Sequence, residues 1–299
     1  MKKIVLSLVV MLTVGFSAFS AEKCLPVEQV TPEKVNSIIS PVLGGVKVIK
    51  VSKTPIKNIY EVVVETRGKV VPAYIDCTLR YFITGNVIDL KERRSLTIER
   101  AKQLAKEAEK KKLEELKKVI GEKKARELKN VLGERFNDIK IINPDQIPKK
   151  HLVTYGNPDA KLTVYVVTDP ECPYCARFDT EMKKVLKKRK DVKFEIILYP
   201  LPFHRHAGKI SQKIICEKSA EEKRKILEKS FEAVRENRTD KLEKLGGECE
   251  KGQKALEEHM MFGAKSGISG TPTLIFPHGI VISGWMTADQ INRVLDVLK

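Results

Sequence analysis

The chain has 299 residues, 42% of them hydrophobic and 32% charged, with a formal net charge of +17. That length accommodates two ordinary domains, each with its own core. Lysine is interleaved with glutamate rather than gathered in basic blocks, so the charge reads as a solvated surface and excludes nucleic acid as the expected partner.

The N-terminus, MKKIVLSLVVMLTVGFSAFSAEKC, joins Lys2 and Lys3 to an apolar run over residues 4–14 and to small residues at Ala18 and Ser20. This order predicts a cleaved secretory signal over residues 1–20, too short to span a bilayer. Ala21-Glu22-Lys23 is not the small, apolar set that precedes a lipidated cysteine, and no second apolar stretch of spanning length follows. The mature chain is expected to be soluble and exported. Export means an oxidising compartment, where an even number of cysteines suggests pairs. The six are Cys24, Cys77, Cys172, Cys175, Cys216 and Cys249. Fifteen pairings are possible; position suggests Cys24 with Cys77, Cys172 with Cys175, and Cys216 with Cys249.

Residues 21–90 predict a small α+β unit. A short helix over 32–39 precedes strand-like runs at 46–51, 59–66, 70–75 and 79–83, with turn signals at 66–69 and 84–86. So small a unit calls for a staple or a partner subunit, and a Cys24–Cys77 bridge would supply the staple. Residues 91–136 change character. Apolar residues recur at helical spacing from Ile98 to Ile120, with Thr97 as N-cap and Glu107 four residues before Lys111. The thin stripe without sustained heptads predicts a helical spacer, with Gly121 as the place for a break or bend. Residues 137–299 predict an α/β unit with a mixed sheet: strand 162–167, helix 176–187, strand 192–199, a helical stretch 207–265 interrupted near Gly246, strands 273–276 and 280–283 around a turn, and a capping box at Thr287–Gln290 opening a terminal helix.

Within this unit stands DPECPYCARF, residues 169–178. A structural zinc site would need a second cysteine pair or suitably spaced histidines, and His204 and His206 lie only two residues apart, so no metal is expected. A clasp closing so small a ring would constrain the unfolded chain little. A redox pair has a mechanism. Cys172 falls where a strand ends and a helix begins, and the helix N-terminus favours a thiolate. Pro173 fits the first helical position. Cys172 is therefore expected to be the exposed, low-pKa nucleophile and Cys175, one turn deeper, the resolving thiol. Asp169 and Glu171 would oppose the thiolate if close. About 100 residues on, Gly270-Thr271-Pro272 stands directly before a strand and suits a cis peptide bond. Tyr174 is a candidate for substrate contact, Phe178 for the core, and Trp285 for core or domain packing. His204 and His206 read as loop residues rather than acid–base groups, because thiol exchange proceeds without a dedicated histidine.

CPYC opening a helix and Gly-Thr-Pro before a hairpin resemble the thioredoxin fold. TVYVVTDPECPYC, the cysteines flanking the helical insert and the preceding α+β unit with its helical linker narrow the resemblance to the periplasmic disulfide isomerases of the DsbC/DsbG type. The resemblance implies a thioredoxin-like catalytic domain with a helical insert, joined by a long helical linker to a small α+β dimerisation domain. It implies a periplasmic homodimer without cofactor. Cys172 would attack non-native disulfides of misfolded exported proteins, Cys175 would release the substrate reduced, and Thr271 and Pro272 would pair with substrate backbone. Cys216–Cys249 would be a structural disulfide, and a membrane reductase of the DsbD type would keep the active pair reduced. Two departures stand out: a linker longer than the family leads one to expect, and the extra pair Cys24 and Cys77. Competing readings are reduction of sulfenylated single cysteines, as in the DsbG-like branch, and a holdase chaperone that needs neither active-site sulfur.

Overall fold

The computed structural model describes residues 23–66 and 68–299; the signal-peptide reading of residues 1–20 lies outside the described residues. The chain divides into two compact units, with the boundary after Ala105.

In the first unit, Pro32–Ile39 forms α1. Pro32 occupies the first turn, and the Thr31 hydroxyl accepts from the Lys34 N–H at 3.3 Å. An antiparallel sheet follows, ordered β1 (Val46–Lys53), β2 (Ile59–Thr66), β3 (Lys69–Asp76) and β4 (Phe82–Ile83). One face of alternating residues, including Val48, Val62, Val64 and Ile75, packs with Val35 and Ile39 of α1. Cys24 is bonded to Cys77, and beside that bond the Leu25 N–H donates to the Cys77 carbonyl at 2.9 Å. The strand expected over 79–83 is shorter because Asp76 folds residues 76–81 into a turn: its carboxylate accepts the N–H groups of Thr78, Arg80 and Tyr81 at 2.7–3.1 Å. A two-residue hairpin, β5 (Ile88–Asp89) and β6 (Arg94–Ser95), precedes the long helix α2 (Leu96–Ile120). Ser95, not Thr97, supplies the capping hydroxyl, taking the Ile98 N–H at 3.1 Å. Thr97 is instead drawn into a bond with the Tyr74 hydroxyl.

The helix does not run through to residue 135. Gly121 adopts φ +81°, a conformation costly to any residue with a Cβ, and α3 (Glu122–Leu132) starts anew after it. Residues 106–136, read as the rest of a spacer, lie in the second unit. Leu116, Ala125, Leu128, Leu132 and Phe136 are buried in its core. The thin stripe is thus in part a packing face: Leu104 and Leu116 are buried, while Ile98 and Val119 stay exposed.

The second unit is built on a six-stranded mixed sheet. In chain order its strands are β7 (Lys140–Ile141), β8 (Val153–Gly156), β9 (Leu162–Thr168), β10 (Val192–Leu198), β11 (Thr273–Phe276) and β12 (Ile280–Ser283), and in space the order is β7-β12-β11-β9-β10-β8. Only β9 and β10 pair in parallel, in register from Val192 opposite Leu162 to Leu198 opposite Thr168. Alternation along β9 sends Val164 and Val166 to one face and Val167 to the other, so both faces are buried. α4 (Pro173–Lys188) connects the two parallel strands. The insert breaks into α5 (Ala207–Cys216), α6 (Ala220–Arg235), α7 (Thr239–Leu245) and α8 (Glu250–Lys265). Cys216, closing α5, is bonded to Cys249, which opens α8. A Cβ on Gly252 would lie 2.6 Å from the Cys216 sulfur, so only glycine lets the two helices meet there. α9 (Ala288–Leu298) ends the fold, and both reciprocal bonds of the Thr287–Gln290 capping box are present.

Candidate active site

The dithiol sits at the carboxyl end of the central strand. β9 ends at Thr168, Cys172 is the N-cap of α4, and Pro173 takes the first helical position. Both cysteines are unbridged. Cys172 is 4% exposed and Cys175 1%. Cys172 is therefore more covered than the expected exposed nucleophile. The loop before β11 lies against it: the Cys172 sulfur is 3.5 Å from the Thr271 carbonyl oxygen, and the Thr271–Pro272 bond is cis.

That loop is held from behind. The Gly284 N–H donates to the Pro272 carbonyl at 2.8 Å. Arg135 donates to the Ser283 carbonyl at 2.8 Å. The Thr273 hydroxyl closes the turn on the Gly270 carbonyl at 2.8 Å. The Thr271 hydroxyl is buried without a partner, which leaves it free for charge on the neighbouring sulfur.

The two thiols are driven apart in acidity. Cys172 is lowered to about 6, first by the hydrogen bond from the Cys175 thiol; burial opposes this, while Thr271 and the N–H groups of Cys175 and Tyr174 add to it. Cys175 is pushed well above its ordinary value by burial and by the neighbouring Cys172 sulfur. One sulfur is thus a thiolate at neutral pH and the other holds its proton.

The carboxylates of Asp169 and Glu171, which would oppose the thiolate if close, are engaged by other donors. Both turn to the segment after β10. The Asp169 carboxylate, fully buried, accepts the Glu171 N–H at 2.7 Å, the Leu201 N–H at 2.6 Å and the His204 Nδ1 at 2.8 Å. Burial raises its pKa, and these donors pull the other way. Glu171 accepts the N–H groups of His206 and Ala207 at 2.7 and 3.0 Å, capping α5. His204 and His206, read as plain loop residues, are thereby tied to the motif. The signal was the parallel pairing of β9 and β10, which puts both following loops at one end of the sheet.

Tyr174 is 58% exposed with the Arg177 guanidinium 5.5 Å from its ring centre. Phe178 is core, edge-on to Phe194 at 6.3 Å. Trp285, read as core or domain packing, is 39% exposed, which rules out the core alternative; it follows Gly284, and its carbonyl accepts from Arg135.

A dithiol at a strand–helix junction facing a cis-proline loop defines a thioredoxin-type site. Residues 148–299 match the model described as thioredoxin-like domain, and the chain belongs to that family. Residues 26–98 match the disulfide bond isomerase protein N-terminal domain, so both halves of the DsbC/DsbG-type arrangement are present in order. Among curated proteins, the chain is 24% identical over 149 residues to the thiol:disulfide interchange protein DsbC of Salmonella typhimurium, covering 50% of this chain and 56% of that protein. The chain thus spans about half the length of the curated relative it matches. Similar solved structures include the catalytic domain of Proteus mirabilis ScsC (21% identity, 57% of this chain and 98% of that one, TM-score 0.44). Another is a disulfide interchange protein from Neisseria gonorrhoeae (25% identity, 50% and 95%, TM-score 0.38).

Proposed function

We propose that this chain is a thiol-disulfide isomerase and reductase acting on non-native disulfides of exported proteins. The observation that carries the reading is the split acidity of Cys172 and Cys175 at the N-terminus of α4. The Cys172 thiolate attacks one sulfur of a substrate disulfide, forming a mixed disulfide and releasing the other sulfur as a thiolate. If that or another substrate thiolate then attacks the mixed disulfide, Cys172 is regenerated and the substrate is rearranged with no net electron transfer. If Cys175 loses its proton and attacks Cys172 instead, the substrate leaves reduced and a Cys172–Cys175 disulfide remains. An external dithiol must reopen it, a role that fits a membrane reductase of the DsbD type.

Thr271 and Pro272 pair with substrate backbone beside the sulfurs, and Cys216–Cys249 and Cys24–Cys77 are structural. The 26–98 match supports a homodimer formed through the first unit, and the layout of the N-terminus supports export to the periplasm. The test is recovery of activity from scrambled ribonuclease in a glutathione buffer. The full mature chain is expected to speed recovery several-fold over buffer alone. A chain that reduces simple disulfides yet gives no recovery would replace isomerisation with reduction.

A further inference from the structure

Because β9 and β10 are parallel and in register to their last residues, the CPYC loop and the segment Leu201–His206 leave the sheet at the same end. Three hydrogen bonds of 2.6–2.8 Å then join them, two to Asp169 and one to Glu171, and Glu171 takes a further one at 3.0 Å from Ala207, the next residue. Bonds to carboxylates are among the stronger hydrogen bonds in proteins, and the Asp169 carboxylate is fully buried. The segment is therefore held against the motif.

This segment carries Phe203, 76% exposed. Its ring stands edge-to-face with that of the neighbouring His204, with ring centres 4.7 Å apart, and that histidine is the one bonded to Asp169. An exposed phenylalanine on a mobile loop needs no explanation. A phenylalanine held out in water by a loop clamped to the reactive motif has one in the substrate. On the motif itself the exposed ring of Tyr174 stands two residues after Cys172. The occupant that fits is an extended segment of unfolded polypeptide with an apolar side chain beside its cysteine, since misfolded chains expose the apolar residues that folded ones bury.

Resting on the exchange reaction proposed above, we infer that Phe203 is a specificity-determining residue, contacting the apolar side chain that flanks the substrate's reacting cysteine. The carboxylates of Asp169 and Glu171 hold the 201–206 segment on which it stands.

The test compares the full chain with Phe203→Ala and Phe203→Leu on three substrates: a disulfide-bridged peptide with leucine beside each cysteine, the same peptide with serine there, and glutathione disulfide. Phe203→Ala is expected to raise KM for the leucine peptide about tenfold with little change in kcat, and to leave the other two within about twofold. Phe203→Leu should restore most of the difference. Equal losses on all three substrates, or none on any, would overturn the inference while leaving the exchange reaction standing. A wild-type chain inert toward all three would remove the exchange reaction itself, and the inference with it.

Discussion

Replacing Cys172 with serine is expected to lower the rate of disulfide exchange by about a thousandfold or more, the scale on which enzymes lose activity when their nucleophile is removed. A serine hydroxyl at the same N-cap position receives the same donors, but it does not ionise near neutral pH and oxygen does not displace a sulfur from a disulfide. Replacing Cys175 with serine has a different outcome. The serine hydroxyl still donates to the Cys172 sulfur, so the thiolate persists and attack proceeds, but no second sulfur stands ready to release the substrate. Covalent Cys172–substrate complexes should accumulate and be visible on non-reducing gels. If the Cys175 variant instead lost attack while the Cys172 variant kept it, the roles assigned to the two sulfurs would be reversed.

The second large effect concerns the first unit. Cys24 and Cys77 are separated by 53 residues, and in the chain-entropy model opening a loop of that size costs about 4 kcal/mol. The core it supports is small: α1 packs on one face of a four-stranded sheet. The bond also fixes the N-terminal segment, where Leu25 bonds to Cys77 and the Tyr60 hydroxyl donates to the Leu25 carbonyl at 2.6 Å. The double variant Cys24→Ser, Cys77→Ser should therefore melt in two steps, the first unit unfolding well before the second. Trp285 is the only tryptophan in the chain and lies in the second unit, so its fluorescence reads that unit alone. The expected result is an early loss of circular dichroism with an unmoved Trp285 transition. A single transition at the wild-type temperature would show that the bond contributes little.

Periodicity and motif spacing carried a large part of the architecture. α1 matches its expected range, β2 and the strands flanking the 277–279 turn fall where alternation placed them, and the capping box of α9 forms as written. What escaped was non-local. β7 and β8 are too short to show a period, and each exists because a longer strand offers it an edge. The stripe containing Leu116 is the same whether it faces water or a core, and only the fold supplies what covers that residue. The clamp between Asp169 and His204 joins residues 35 apart. The CPYC motif announced two sulfurs at a helix start, but not that Cys172 would be buried or that its sulfur would meet the carbonyl of Thr271, 99 residues away.

The central claim is that Cys172 carries a thiolate at neutral pH while Cys175 stays protonated. The direct measurement is the rate of iodoacetamide labelling of the reduced full chain as a function of pH, with the labelled residue identified by mass spectrometry. Labelling should fall on Cys172, be half-maximal near pH 6, and drop about tenfold for each pH unit below that as the thiolate is protonated. Half-maximal labelling near pH 9, or labelling that reaches Cys175 first, would contradict the account.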